Sequence, residues 1–212
     1  MNILVMGASR GIGLETVKAV LEDGHTVRAF ARGAGKLGLS DPRLEKVAGD
    51  ALSAGDVEAA LAGVDAVIQV LGVALSADTV LKGTTLFSSA TRVLVDAMRR
   101  TGVRRLVCVT GFGAGDSRDH LPALYRLAFA ASLRRIYDDK DIQEQIVRAS
   151  GLDWTIVRPG LLRDGRATGL HQVLVEPATW KIGPVRRADV ALYLADEVVA
   201  GRAIGKTPAI IG

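Results

Sequence analysis

Short apolar runs and helix-periodic stretches alternate along this chain from its first residues, and that alternation restricts the fold more than any other feature. Residues 2–6 form an apolar run, glycines follow, and Thr16, Val17, Val20 and Leu21 then recur at helical spacing until Gly24 stops the helix. Further strands are predicted at 25–31, 44–48, 64–71, 105–110, 154–157 and 208–211. Ser53 caps a short helix ending near Gly63, and a longer helix runs through Leu86, Val93, Leu94, Ala97 and Met98 to Gly102. A helical stretch from 121 to 150, broken once, ends at Gly151, and a last helix covers 188–199. Strands alternating with helices predict an α/β, doubly wound, Rossmann-like parallel sheet with helices on both faces. Residues 160–187 are the least regular and are expected to form a small lobe over the site.

A chain of 212 residues is about one large α/β domain, with no linker or repeat to divide it. Aromatic residues make up only 4%, so Val, Leu, Ile and Ala must fill the core, which suits strands buried on both faces. The net charge of +4 comes from arginines scattered along the chain, without interleaved aromatics, so nucleic acid is not an expected partner. Cys108 is the single cysteine and lies in an apolar run, which reads as a small buried hydrophobe in a reducing compartment. No leader-like N-terminus or bilayer-length apolar run is present, so a cytoplasmic location without membrane contact is expected, and no residue spacing suggests a metal.

The first strand runs straight into Gly7-Ala8-Ser9-Arg10-Gly11-Ile12-Gly13, followed by a helix. Glycine is needed there for a tight turn, for close approach of a pyrophosphate to the backbone, and for close packing of helix on strand. The free N–H groups at the helix start would hold the phosphates. An NAD site places an acid at the end of the second strand, but no acid occurs from Gly24 to Ser40. Arg32 stands at that strand end and Arg10 lies in the loop, and both can pair with a 2′-phosphate, so NADP(H) is expected over NAD(H). Asp50 and Ala51 follow the third strand, beside the adenine or as simple turn residues. Leu71 and Gly72 end the fourth strand, where a glycine permits close approach of the cofactor.

The Gly7–Gly13 loop is similar to the cofactor loop of short-chain dehydrogenases/reductases. The run Lys140…Glu144…Ser150-Gly151-Leu152-Asp153-Trp154-Thr155-Ile156-Val157-Arg158-Pro159-Gly160, with Arg187-Ala188-Asp189-Val190-Ala191, resembles the atypical branch of that superfamily. That branch holds the NAD(P)H-binding flavin reductase/biliverdin reductase B family and the NmrA-like proteins. The resemblance implies strand order 3-2-1-4-5-6 with a final strand. It implies that the turn after Thr110 and the Arg158-Pro159-Gly160 turn flank the nicotinamide, and that the acceptor is flat and conjugated, such as a flavin, quinone or tetrapyrrole.

Members of the superfamily typically use a Ser, and a Tyr four residues before a Lys. Here position 136 is Ile136, while Tyr137 lies three before Lys140, and the fifth strand ends in Thr110 rather than serine. Thr110, Tyr137 and Lys140 are the candidate catalytic residues. Lys140 either holds the cofactor or forms a surface pair with Glu144, four residues on. Phe112, Tyr125, Phe129, Leu161, Leu162 and Trp180 either line an apolar acceptor pocket or pack the core, and His120 and His171 are candidate proton sources. Lacking a positioned phenolic acid, the chain is expected to be an NADPH-dependent oxidoreductase that reduces a delocalised small-molecule acceptor rather than an isolated ketone. The alternatives are a non-enzymatic NADP-binding redox sensor and, less favoured because the chain is short for the required lobe, a nucleotide-sugar epimerase/dehydratase-like enzyme.

Overall fold

The computed structural model describes residues 1–74 and 76–212, and for residues 128–132 the backbone alone. Its strands are β1 (Asn2–Met6), β2 (Thr26–Phe30), β3 (Leu44–Val47), β4 (Ala66–Gln69), β5 (Arg105–Val109), β6 (Asp153–Pro159), β7 (Leu161–Arg163), β8 (Gln172–Leu174), β9 (Pro184–Arg186) and β10 (Ala209–Ile211). The helices are α1 (Gly11–Glu22), α2 (Ala54–Ala60), α3 (Ala77–Lys82), α4 (Leu86–Thr101), α5 (Ala123–Ser132), α6 (Arg134–Arg148) and α7 (Arg187–Ala200).

The large sheet has the order β3-β2-β1-β4-β5-β6-β10-β8. Its first seven strands are parallel, with Val5 opposite Ala29 on one side and Ile68 on the other. The expected order 3-2-1-4-5-6 with a final strand is what the chain adopts. The sheet is buried on both faces because strand residues alternate between two cores. Ile3 and Val5 pack with Val17 and Val20 of α1 and Val190 and Leu194 of α7. Leu4 and Met6 pack on the other face with Val57 of α2, Leu94 and Met98 of α4 and Val147 of α6. Cys108 lies fully buried in that second core, where burial pushes its thiol up to about 12, in keeping with a small core residue.

Four elements were not anticipated. Helix α3 is capped by Ser76, whose side chain accepts from the Thr79 N–H, in a stretch read as connection. The irregular lobe contributes β8, which closes the sheet edge antiparallel to β10, and it carries a separate two-stranded sheet of β7 and β9. The predicted break in 121–150 falls at Leu133, between α5 and α6. No described helix is long and apolar enough to cross a membrane.

Candidate dinucleotide site and the chemistry beside it

Strand order reverses at β1, with β2 on one side and β4 on the other, so the carboxyl ends of β1 and β4 diverge and leave a crevice. The glycine loop lies there. Gly7 has φ +96°, and a Cβ on it would stand 2.4 Å from the Val70 carbonyl oxygen at the end of β4. Its N–H donates to the Phe30 carbonyl at 2.9 Å, which hooks the loop onto the end of β2. A Cβ on Gly13 would lie 2.2 Å from the Gly7 oxygen, so α1 could not start so close to β1 with any other residue there. Gly11, with φ +57°, turns the chain into α1.

Arg10 occupies the N-cap of α1 in an extended conformation and supplies no side-chain cap. The N–H groups of the first turn therefore keep their capacity for an anion. Ser9, Arg10 and Gly11 are exposed at this mouth, while Ile12 turns inward to the core. Arg32 is exposed two residues beyond β2, and neither Arg10 nor Arg32 makes a side-chain hydrogen bond or ion pair among the described residues. Asp50 is exposed and its carboxylate accepts the Leu52 N–H at 3.0 Å, a turn geometry, with Ala51 half-buried beside it. Leu71 packs partly against the core, and Gly72 is exposed with open space where a Cβ would lie.

At the ends of β5 and β6 the two expected flanking turns are joined directly, since the Phe112 N–H donates to the Pro159 carbonyl at 2.9 Å. Thr110 is buried, its N–H donating to Val157 and its hydroxyl donating to Glu144 Oε1 at 2.9 Å. Lys140 is also buried. Its Nζ donates to the Thr110 carbonyl at 2.7 Å and lies 4.1 Å from the centre of the Phe87 ring. Burial holds this ammonium down at about 8, against an ordinary value near 10.5.

The reading of Lys140 and Glu144 as a surface pair is therefore corrected: both side chains are buried, and Glu144 serves Arg158 instead. Arg158 is wholly buried and grips Glu144 through Nε at 2.9 Å and Nη2 at 2.5 Å. The half-exposed Asp116 adds a contact to Nη2 at 2.6 Å. A guanidinium cannot be left unpaired in a β-strand core, which is why α6 must bring a carboxylate to it.

Tyr137 lies beside this group. Its hydroxyl oxygen would be 2.7 Å from a Cβ on Gly111, so the phenol fills the space that this glycine leaves. Its ring centre is 5.9 Å from Lys140 Nζ. Burial pushes the phenol up to about 12. The structure thus brings Thr110, Tyr137 and Lys140 together, with one of the three Lys140 N–H donors spent on the Thr110 carbonyl.

Phe112 and Trp180 are buried with Leu121 and Ala209 in a third small core, and the Trp180 ring lies over the Arg158 guanidinium at 4.9 Å. Leu161, Leu162 and Tyr125 are exposed, and the side chain of Phe129 lies outside the described residues. His120 is exposed, edge-on to Trp180 at 5.4 Å, and His171 packs near Tyr193 at 6.2 Å. Arg158, Arg187 and Asp189, quoted above only as parts of a turn or of the resemblance, were given no individual role. An arginine inside the apolar run 155–159 was the one signal available for the first.

A family model described as NAD(P)H-binding matches residues 7–200. An uncharacterised chloroplastic protein of Arabidopsis thaliana is 31% identical over 189 residues, covering 83% of this chain and 64% of the relative. Sterol demethylase protein B of Methylococcus capsulatus is 30% identical over 173 residues, covering 76% of this chain and 52% of its own. The chain thus spans less than two thirds of the length of either curated relative. Among solved structures, the anaerobilin reductase ChuY of Escherichia coli O157:H7 superposes with a TM-score of 0.80 at 29% identity, covering 100% of this chain and 97% of that one. A short-chain dehydrogenase/reductase of Veillonella parvula in complex with NADP shares the fold, with a TM-score of 0.80 at 17% identity over 100% of this chain and 93% of its own. The suspected kinship is borne out, and the chain belongs to the NAD(P)H-binding family.

Proposed function

We propose that this protein is an NADPH-dependent oxidoreductase that passes hydride to a conjugated small-molecule acceptor such as a flavin or quinone. The residues at the crevice fit a dinucleotide. Gly7 and Gly13 leave space that a Cβ would fill with a backbone clash, and the first turn of α1 has no side-chain cap to compete with a phosphate. Two exposed guanidiniums, Arg10 and Arg32, suit a 2′-phosphate, and no carboxylate stands at the end of β2 to repel one. A reductase among the relatives of known structure, at 29% identity, supports the reaction class.

The observation that carries the choice of acceptor is the state of Tyr137. The bound dinucleotide supplies the hydride. Reducing an isolated ketone also needs an acid aimed at the developing alkoxide. Here the neighbouring ammonium of Lys140 is engaged by the Thr110 carbonyl, and burial drives the phenol up rather than down. An acceptor that spreads the new charge over a ring system, and takes its proton from water, asks less of these side chains. Thr110 and Pro159 would then orient the reacting faces, and the third core behind them would keep the turns in place.

A fluorescence titration with NADPH and NADH, followed by NADPH oxidation in the presence of FMN or a soluble quinone, tests this reading. Wild-type protein is expected to prefer NADPH and to consume it only when acceptor is present. Arg10→Ala and Arg32→Ala should each weaken NADPH by about tenfold and leave NADH unchanged, as expected for one charge-assisted contact to phosphate. Tight binding with no turnover on any acceptor would favour the sensor reading. Equal affinity for NADH and NADPH would refute the assignment of the two arginines.

A further inference from the structure

We infer that Arg187 is a diphosphate-binding residue of the dinucleotide site, for which the exposed Asp164 competes. The inference rests on the dinucleotide reading above and adds a contact that the glycine loop does not itself supply. Arg187 is the first residue of α7, the helix that packs along α1. Its side chain reaches the glycine loop: a Cβ placed on Gly11 would be 3.8 Å from both Cδ and Nε of Arg187. The guanidinium thus lies at the same mouth as the uncapped first turn of α1, where a phosphate would find N–H groups on one side and a fixed positive charge on the other.

The present partner of this guanidinium is a weak one. Arg187 Nη1 meets Asp164 Oδ1 at 2.7 Å, and the Asp164 side chain is 92% exposed, whereas that of Arg187 is only 30% exposed. An ion pair with so exposed a carboxylate gives little stabilisation, so a doubly charged diphosphate can displace it. The loop that carries Asp164 is itself anchored to the same helix end. Asp189, in the first turn of α7, accepts the Thr168 N–H at 2.7 Å, the Gly169 N–H at 2.8 Å and the Thr168 hydroxyl at 2.9 Å. Burial pushes this carboxylate up, but these bonds outweigh it and hold it below its ordinary value. With the far end of the loop pinned, Asp164 stays beside Arg187 and competes for its guanidinium until a diphosphate displaces it.

The two members of the pair should therefore act on binding with opposite sign. Arg187→Gln is expected to weaken NADPH and NADH alike, by about tenfold, because the diphosphate is common to both. Asp164→Asn removes a competitor and a repelling charge, and should tighten both nucleotides by up to about fivefold. Dissociation constants for the wild type and both variants are measured by nucleotide fluorescence, with thermal unfolding as a control for folding. Unchanged affinity in Arg187→Gln would overturn the inference, as would a loss confined to NADPH, which would assign Arg187 to the 2′-phosphate instead. Asp164→Asn, altering an almost fully exposed side chain, keeps the test open if Arg187→Gln fails to fold; weaker binding by that variant would also overturn it. Absence of binding by the wild type is a separate result, which removes the dinucleotide reading itself.

Discussion

Replacing Glu144 by Gln keeps the shape of the side chain and removes the charge that neutralises the buried Arg158. The carboxylate now takes two guanidinium N–H groups at 2.9 and 2.5 Å and the Thr110 hydroxyl at 2.9 Å. A glutamine can accept at one atom only, and its NH2 group must then face a guanidinium donor. Removing one partner of a buried pair typically costs about 3–5 kcal/mol, because the other charge is left uncompensated. Asp116 still reaches Nη2 at 2.6 Å and is in contact with water, which places the expected loss at the lower end, about 3 kcal/mol. With an unfolding entropy of about 2.1 cal/mol/K per residue, a chain of 212 residues should lose about 7 °C in melting temperature. Urea and thermal unfolding of Glu144→Gln measure both quantities. A double variant, Glu144→Leu with Arg158→Met, removes both charges and should recover a large part of the loss, since apolar replacement of a whole buried pair is often neutral. A loss under about 1 kcal/mol in the single variant, or no recovery in the double, would refute the claim that Glu144 is there to neutralise Arg158.

Two further outcomes follow from the same group. Tyr137→Phe should leave kcat for a flavin or quinone within about threefold of wild type, whereas removing a true general acid costs about 100-fold or more; steady-state kinetics decide between them. Lys140 titrates at about 8 when buried and near 10.5 ordinarily, so between these values the unfolded chain holds more protons than the folded one. Stability from this group therefore rises with pH across that window. The difference in unfolding free energy between wild type and Lys140→Met should move in favour of wild type from pH 8 to pH 10 and stay flat below pH 7. A difference independent of pH would show that the ammonium is solvated.

What the sequence disclosed depends on how local each cause is. The glycine loop was legible because the need for Gly7 and Gly13 arises within a few residues: the strand must turn, and the helix must start against it. Alternation disclosed a doubly wound parallel sheet, and the order of its central strands followed from the resemblance alone. Strand β8 was not legible. Its three residues, Gln172–Leu174, carry no alternation, and they become a strand only because β10 offers an unpaired edge nearly forty residues away. The pairing of Glu144 with Arg158 was half legible. Ile136, Lys140 and Val147 mark an inward stripe on α6, and Arg158 lies in an apolar run, but only the packing of α6 on β6 joins them. The Arg187–Ala191 segment carried the resemblance, but nothing in it disclosed a contact with the glycine loop, since the nearness of Arg187 to Gly11 depends on α7 lying along α1.

The convergence of these contacts on Thr110 bears on what a strand end can do chemically. Its N–H is taken by Val157, its carbonyl by Lys140, and the single hydrogen of its hydroxyl by Glu144. A hydroxyl so committed can still accept a hydrogen bond, as from a carboxamide N–H, but it cannot hand a proton to an acceptor without breaking its bond to Glu144. Glu144 in turn is fixed by a wholly buried arginine, and that arginine by the Trp180 ring. The hydroxyl hydrogen of this threonine is already taken by Glu144, which leaves only its acceptor lone pairs for a neighbour. A side chain with that role is useful where geometry limits the rate and is of little use where an alkoxide must be protonated. The same chain of contacts therefore ties the stability of the Glu144–Arg158 pair to the hold on Thr110, and so to the delocalised acceptor proposed above.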